Sequence, residues 1–259
     1  MITTIHIESA LDLNRIAAYL EGLEETIIYK LIDRAQFAEN RIAYQIGKSG
    51  FQGAGELSLL DLRLRRQEEM DVEFGRFCVP EERPFNDGLP NPKRDVTLPP
   101  SCLNIDNYDA VNVSTRIREA YCAFLPDICP AGDDGQYGSS VENDVYALQA
   151  IARRIHFGAL YVAESKYRSD PNSYAELVRQ RDREALLRLL TRPEVEAAIL
   201  KRVAEKVTHI QSYINPEVRR SIPPEAVLNF YRTQIIPLTK EGQVRYFLSR
   251  KMSIFPPRI

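Results

Sequence analysis

Two adjacent arginines and a lysine lie in the stretch RRIHFGALYVAESKY, Arg153 to Tyr167. Their neighbours within one turn are small or apolar: Ile151, Ile155, Gly158, Ala159, Val162 and Ala163. Cations on a mostly buried helix need anionic partners, because burying a lone charge is costly. The partners are either carboxylates of the chain, with Glu142, Asp144 and Glu196 as candidates, or an anionic small molecule. Other chemistry is poorly represented. His156, inside the stretch, reads as a buried and satisfied histidine. The chain has only three histidines, and its four cysteines (Cys78, Cys102, Cys122, Cys129) include no CxxC pair, so no zinc site is expected. The loop PAGDDGQYGS (130–139) is too acidic for a phosphate cradle and lacks the P-loop lysine.

The elements that must carry these residues read as helices throughout. Leu13, Ile16, Leu20, Leu23, Ile27 and Leu31 recur at three and four, so a first helix ending near Arg34 is predicted, with Ser9 and Asp12 at its start. Residues 47–56 are glycine-rich and read as loop. Ser58 caps a second helix that extends to about Phe77, with Pro80 and Pro84 ending it. Six prolines make 80–108 a long irregular connection. A helix from Val111 to about Leu125 is closed by Pro126. The central helix starts at Ser139 or Ser140 and ends at Ser169-Asp170-Pro171. Short helices follow at 171–180 and 182–190. Pro193 is the first residue of another, reaching about Ile210. A last helix runs from Pro223 or Pro224 to about Ser249 and should kink at Pro237.

The reading is all-α, one domain over 1–259 with roughly 8–12 helices. The chain is 44% hydrophobic and 27% charged with a net charge of −2, which argues against a nucleic-acid partner. No run is long and apolar enough for a membrane span. No basic segment precedes an apolar core at the N-terminus, so no secretory signal is expected, and reduced thiols in the cytoplasm are the default.

The segment RRIHFG…VAESK closely resembles the signature of the all-helical chorismate mutases of fungi and plants, the AroQ class. Collinear blocks extend the resemblance over nearly the whole chain: LEETIIYKLIDRAQFA (23–38), VPEERPF (79–85), YGSSVENDVYALQAIARR (137–154), SDPNSYAEL (169–177), VEAAILKR (195–202) and IIPLTKEGQVRYFL (235–248). It implies a helical homodimer that rearranges chorismate to prephenate in aromatic biosynthesis. No metal or organic cofactor is implied, since the pericyclic step needs only a folded dianion and donors at its ether oxygen. By this resemblance Arg154 clamps a carboxylate, Lys166 reaches the ether oxygen and a carboxylate, Glu196 accepts the substrate hydroxyl, and Thr239 lines the site. Gln243 stands where fungal members carry a glutamate. A glutamine donates at any pH. Related readings remain open: a relative acting on isochorismate or a modified chorismate, or a non-catalytic helical dimer.

Three positions depart from the family pattern. Ala17 stands where the family has a first-helix arginine. Arg15 is two residues away, roughly 200° around the helix, and should face elsewhere. Arg192 replaces an asparagine beside the substrate, which makes it a candidate substrate-binding residue together with Arg153. Finally, twelve positions separate Arg154 from Lys166, one more than in the family. Eleven steps return to the same helix face within about 20°, whereas twelve overshoot by about 120°. If both side chains face one pocket, a π-bulge must absorb the extra residue, and Gly158–Tyr161 is the expected place. For the family's effector site, Gly138 and Ser139 match the loop, and Arg76 is what remains of an arginine pair. Gly75 fills the other position, and Pro223 replaces a threonine of the switch. Feedback by aromatic amino acids is expected to be weak or absent.

Overall fold

The computed structural model describes residues 11–53 and 55–251, and these contain no strand. Ten α-helical segments form eight continuous rods, because two pairs are joined through π turns. They are α1 (Leu13–Arg34), α2 (Leu59–Glu73), α3 (Ser114–Ile128), α4 (Tyr137–Phe157), α5 (Ala163–Ser169), α6 (Pro171–Gln180), α7 (Arg183–Leu190), α8 (Pro193–Gln211), α9 (Pro224–Phe230) and α10 (Ile236–Ser249). The π turn Gly158–Val162 joins α4 to α5, and a second, Tyr231–Ile235, joins α9 to α10.

Local chemistry explains most boundaries. Asp12 caps α1 by accepting the Asn14 and Arg15 amides, while Ser9 lies outside the described residues. Ser58 caps α2 through the Asp61 amide, and Pro193 opens α8. Other ends differ from expectation. α2 stops at Glu73, ahead of its prolines, because Gly75 turns the chain with φ 87°. A Cβ at Gly75 would lie 2.6 Å from Val96 Cγ2, so the glycine also lets the proline-rich connection cross close by. α3 starts at Ser114, after the 3₁₀ turn Tyr108–Val111, and Pro126 sits inside its last turn instead of ending it. α4 begins at Tyr137, which puts Gly138 and Ser139 in its first turn and not in a loop.

The core forms where α1 packs along α4, with Ile27, Ile28, Leu31, Leu148 and Ile151 fully buried among them. Inside it Arg34 is wholly buried. Its Nε donates to Asp144 Oδ1 at 2.6 Å, and its other nitrogens reach the Phe37, Ala38 and Glu39 carbonyls and the Tyr44 hydroxyl. Tyr44 and Tyr121 both donate to Asp144 at 2.8 Å. This hub ties α1, α3 and α4 together and commits Asp144 to Arg34, so Asp144 is not a partner of Arg153 or Arg154.

His156 is also fully buried, and its Nε2 accepts the Val113 amide at 3.1 Å. Burial, then the nearby Arg83 and Arg245 charges, lower its pKa to about 3. An unfolded histidine protonates near pH 6.5, so between about pH 6.5 and 3 the unfolded chain binds one more proton here than the folded chain. Stability is therefore present above this window and lost as pH falls through it, by about 1.4 kcal/mol per pH unit from this group. In urea titrations at pH 7, 5 and 4, His156→Gln should flatten the acid loss by about that slope. Equal slopes for the two proteins would show that His156 is not its source.

Candidate active site

The π turn Gly158–Val162 lies where the register count requires it, and its wider turn takes up the extra residue. Arg154 and Lys166 consequently line one cavity of about 290 Å³. α1 contributes Leu13, Ile16, Ala17 and Leu20 to its wall. α8 and the residue before it contribute Arg192, Val195, Glu196 and Ile199, and α10 contributes Ile236, Thr239 and Gln243. Four cations (Arg154, Lys166, Arg192, Arg202) line it against a single carboxylate, Glu196.

Arg154 is only 2% exposed, and Nη1 donates to Thr239 Oγ1 at 3.0 Å. Its closest carboxylate, Glu24, stands 3.8 Å from Nη2, and its Nε has no acceptor among the described residues. Thr239 is fixed in turn by donating to the Ile235 carbonyl at 2.7 Å. Gln243 Nε2 donates to the carbonyl of Gly158, the first residue of the π turn, at 3.2 Å, and its buried Oε1 is unpaired. The second amide hydrogen of Gln243 is left for the cavity. Glu196 is held by Lys240 at 2.9 Å. Lys166 has no ion pair among the described residues. Burial, then the neighbouring Arg192 charge, lower its pKa to about 8 despite the opposing field of Glu196.

Arg192 is exposed, so it marks the mouth of the cavity. Arg153 is not among the lining residues, contrary to its expected substrate-binding role. One step along a helix turns about 100°, and it faces Tyr19 (2.8 Å to the hydroxyl), Glu82 (3.3 Å) and Glu81 (3.7 Å). Arg15 is exposed, as its helix position predicts.

Glu24 was missed. It is fully buried, accepts from Nη2 and Nε of Arg202 at 2.8 and 2.9 Å, and pairs with Lys206 at 3.5 Å. The available signal was a carboxylate one residue after Leu23 on the buried stripe. Arg202 is thereby committed to the protein, although it lines the cavity.

No family model matches the chain. It is 37% identical to the chloroplastic chorismate mutase 1 of Petunia hybrida over 88% of this chain and 72% of that protein. It is 34% identical to a chorismate mutase of Trichoderma parareesei over 94% of each. The chain belongs to the chorismate mutase family. Among solved structures, the chorismate mutase of Candida albicans in complex with L-Trp superposes with a TM-score of 0.88 at 32% identity, covering 96% of this chain and 95% of that one.

Against this chorismate mutase fold, the expected effector residues sit apart from the cavity. Arg76 donates to Asp71 (2.6 Å) and Gln149 (2.8 Å), and Gly138 and Ser139 are exposed on the first turn of α4. No helix of the described residues is long and apolar enough to cross a membrane. The π turn depends on a close approach by α10. A Cβ on Gly242 would lie 2.5 Å from Ala159 Cβ. Gly242→Ala should therefore cost about 1–3 kcal/mol in urea unfolding. Adding Ala159→Gly should recover part of the loss, and strictly additive single-variant costs would show that the contact is not tight.

Proposed function

We propose that this chain is an isomerase that rearranges chorismate to prephenate in the cavity between α1, α4–α5, α8 and α10. The observation that carries the reading is the excess of cations over carboxylates on an otherwise largely apolar wall, which suits a compact dianion. Arg154, supported by Thr239, clamps one carboxylate. Glu196, kept in place by Lys240, accepts the ring hydroxyl. Lys166 and the free amide hydrogen of Gln243 point donors at the ether oxygen, where negative charge grows as the C–O bond breaks. No proton changes hands, so catalysis is orientation plus fixed positive potential in a site walled by Leu13, Ile16, Leu20 and Ile199. Family membership supports the same reading. The reading extends to a single catalytic domain over 1–259, acting as a cytoplasmic homodimer, with Arg76, Gly138 and Ser139 as a reduced effector site.

Loss of chorismate absorbance, with the product identified by NMR, tests the assignment. Prephenate is the expected product. Pyruvate release or another isomer would assign the site to a different enol-pyruvyl dianion, and no turnover would leave a binding role. The same assay gives a pH signature. Lys166 is protonated below about pH 8 in the free enzyme, so kcat/KM should fall about tenfold per unit above that pH. The bound dianion favours the protonated lysine, so kcat should hold to higher pH. Gln243 does not titrate and adds no acid limb between about pH 5 and 8. A kcat/KM that stays level to pH 10 would remove Lys166 from the clamp.

For the effector site, one arginine at Arg76 where fungal relatives have two leaves fewer charge-assisted bonds for an amino-acid carboxylate. Titration with tryptophan, tyrosine and phenylalanine at millimolar concentration should change the rate by less than about twofold. A response of fivefold or more would restore full regulation to this site.

A further inference from the structure

We propose that Arg192 supplies the cation that α1 lacks at Ala17, and that with Lys166 it holds the second carboxylate of the dianion at the mouth of the cavity. This rests on the reading of the cavity as a chorismate site.

A dianion folded in the cavity needs a cation near each carboxylate. Arg154 serves one at the buried end. Arg202 cannot serve the other, since Glu24 takes two of its nitrogens and Glu21 lies 3.3 Å from the third. The α1 wall offers only Leu13, Ile16, Ala17 and Leu20. Lys166 and Arg192 remain, and neither has an ion pair among the described residues. They stand close enough that the Arg192 charge makes Lys166 easier to deprotonate. The repulsion of Lys166 by Arg192 and Lys240, only partly offset by Glu196, raises the energy of the empty site, and one carboxylate between Lys166 and Arg192 lowers it.

The position of Arg192 is fixed by the backbone. It is the N-cap of α8, and its carbonyl accepts the Val195 and Glu196 amides at 3.0 and 3.1 Å. Pro193 follows at the first helical position, and the Thr191 hydroxyl donates to the Leu187 carbonyl at 2.8 Å. Arg192, Glu196 and Ile199 then recur on one face of α8 and all line the cavity. The side chain extends from a rigid root toward the same space as the residue proposed to accept the ring hydroxyl.

Since Arg192 sits at the mouth and not at the breaking bond, it should act more on KM than on kcat. Arg192→Ala is expected to lower kcat/KM at least tenfold, mainly through KM, at unchanged Tm. It should also move the alkaline limb of kcat/KM upward, because Lys166 loses the stronger of its two repulsive neighbours, Lys240 being the other. A residue with a merely structural role would not move that limb. Introducing Ala17→Arg into Arg192→Ala should restore part of kcat/KM by returning a cation to the site from α1. The inference is overturned if Arg192→Ala lowers kcat/KM by less than about tenfold, or if its alkaline limb is unmoved. Failure of the underlying reading is separately visible, because the parent enzyme would then not form prephenate.

Discussion

A helix can show two side chains to one cavity only at spacings near a whole number of turns, and much of this site follows from how one rod meets that constraint. Lys166 follows Arg154 by twelve positions, which puts them on different faces of a regular α-helix. The π turn Gly158–Val162 brings them back to one cavity. It persists because its surroundings accept its wider girth. Gly158 and Gly242 supply the space, since a Cβ on Gly158 would lie 2.8 Å from Thr239 Cγ2 and one on Gly242 would meet Ala159. Gln243 accommodates the altered backbone by donating to the Gly158 carbonyl. The rod that supplies Thr239 and Gln243 has its own π turn, Tyr231–Ile235, just before Pro237. A proline cannot donate to the preceding turn and crowds the carbonyl four residues back. The change of helical pitch there meets both problems and still delivers Thr239 and Gln243 to the cavity.

The electrostatics of the site show the same preference for preparation over comfort. Arg34 and Arg154 are both buried arginines, but their satisfaction differs. Arg34 has a carboxylate at 2.6 Å, three carbonyls and a hydroxyl, and it serves the fold. Arg154 has one hydroxyl and a carboxylate at 3.8 Å that is already shared with Arg202 and Lys206. A buried guanidinium left short of acceptors costs stability. The same shortage leaves its charge available to a ligand without prior rearrangement, which is the property preorganised catalysis needs. Glu24 is the balancing group: close enough to temper Arg154, yet bound by stronger partners and unable to neutralise it.

Much of this arrangement was legible in the sequence. The register count placed the π turn, because helix geometry is regular enough that one extra residue has few remedies. Ser58 and Pro193 marked helix starts since capping is local chemistry. What escaped was set by distant neighbours. The end of α2 is decided by Gly75 and the crossing of Val96, and nothing within the helix reveals that crossing. The partners of Arg153 come from Tyr19 and the 81–82 segment, far away in sequence. Glu24 stands between Glu21 and Glu25 in the sequence, and only the packing of α1 on α8 shows which of the three is buried. The second π turn was read as a proline kink, since sequence shows the missing donor but not the structure that compensates for it.

The apolar wall of α1 has a role equal to that of the charges. Leu13 and Leu20 belong to the stripe that builds the core and line the cavity, where they are less buried than Ile16, which lines it too. A pericyclic rearrangement needs its two reacting ends pressed together, and shape does this without further charge. Apolar walls also displace water, which strengthens each remaining ionic contact. With Ala17 in place of a cation, α1 gives only shape, and the positive groups gather on α4–α5 and at the start of α8. In the proposed reading, the two tasks of the site, compressing the substrate and stabilising its developing charge, fall to different walls. Repulsion between Lys166 and Arg192 is the cost of gathering the charge, and the field of Glu196 offsets part of it.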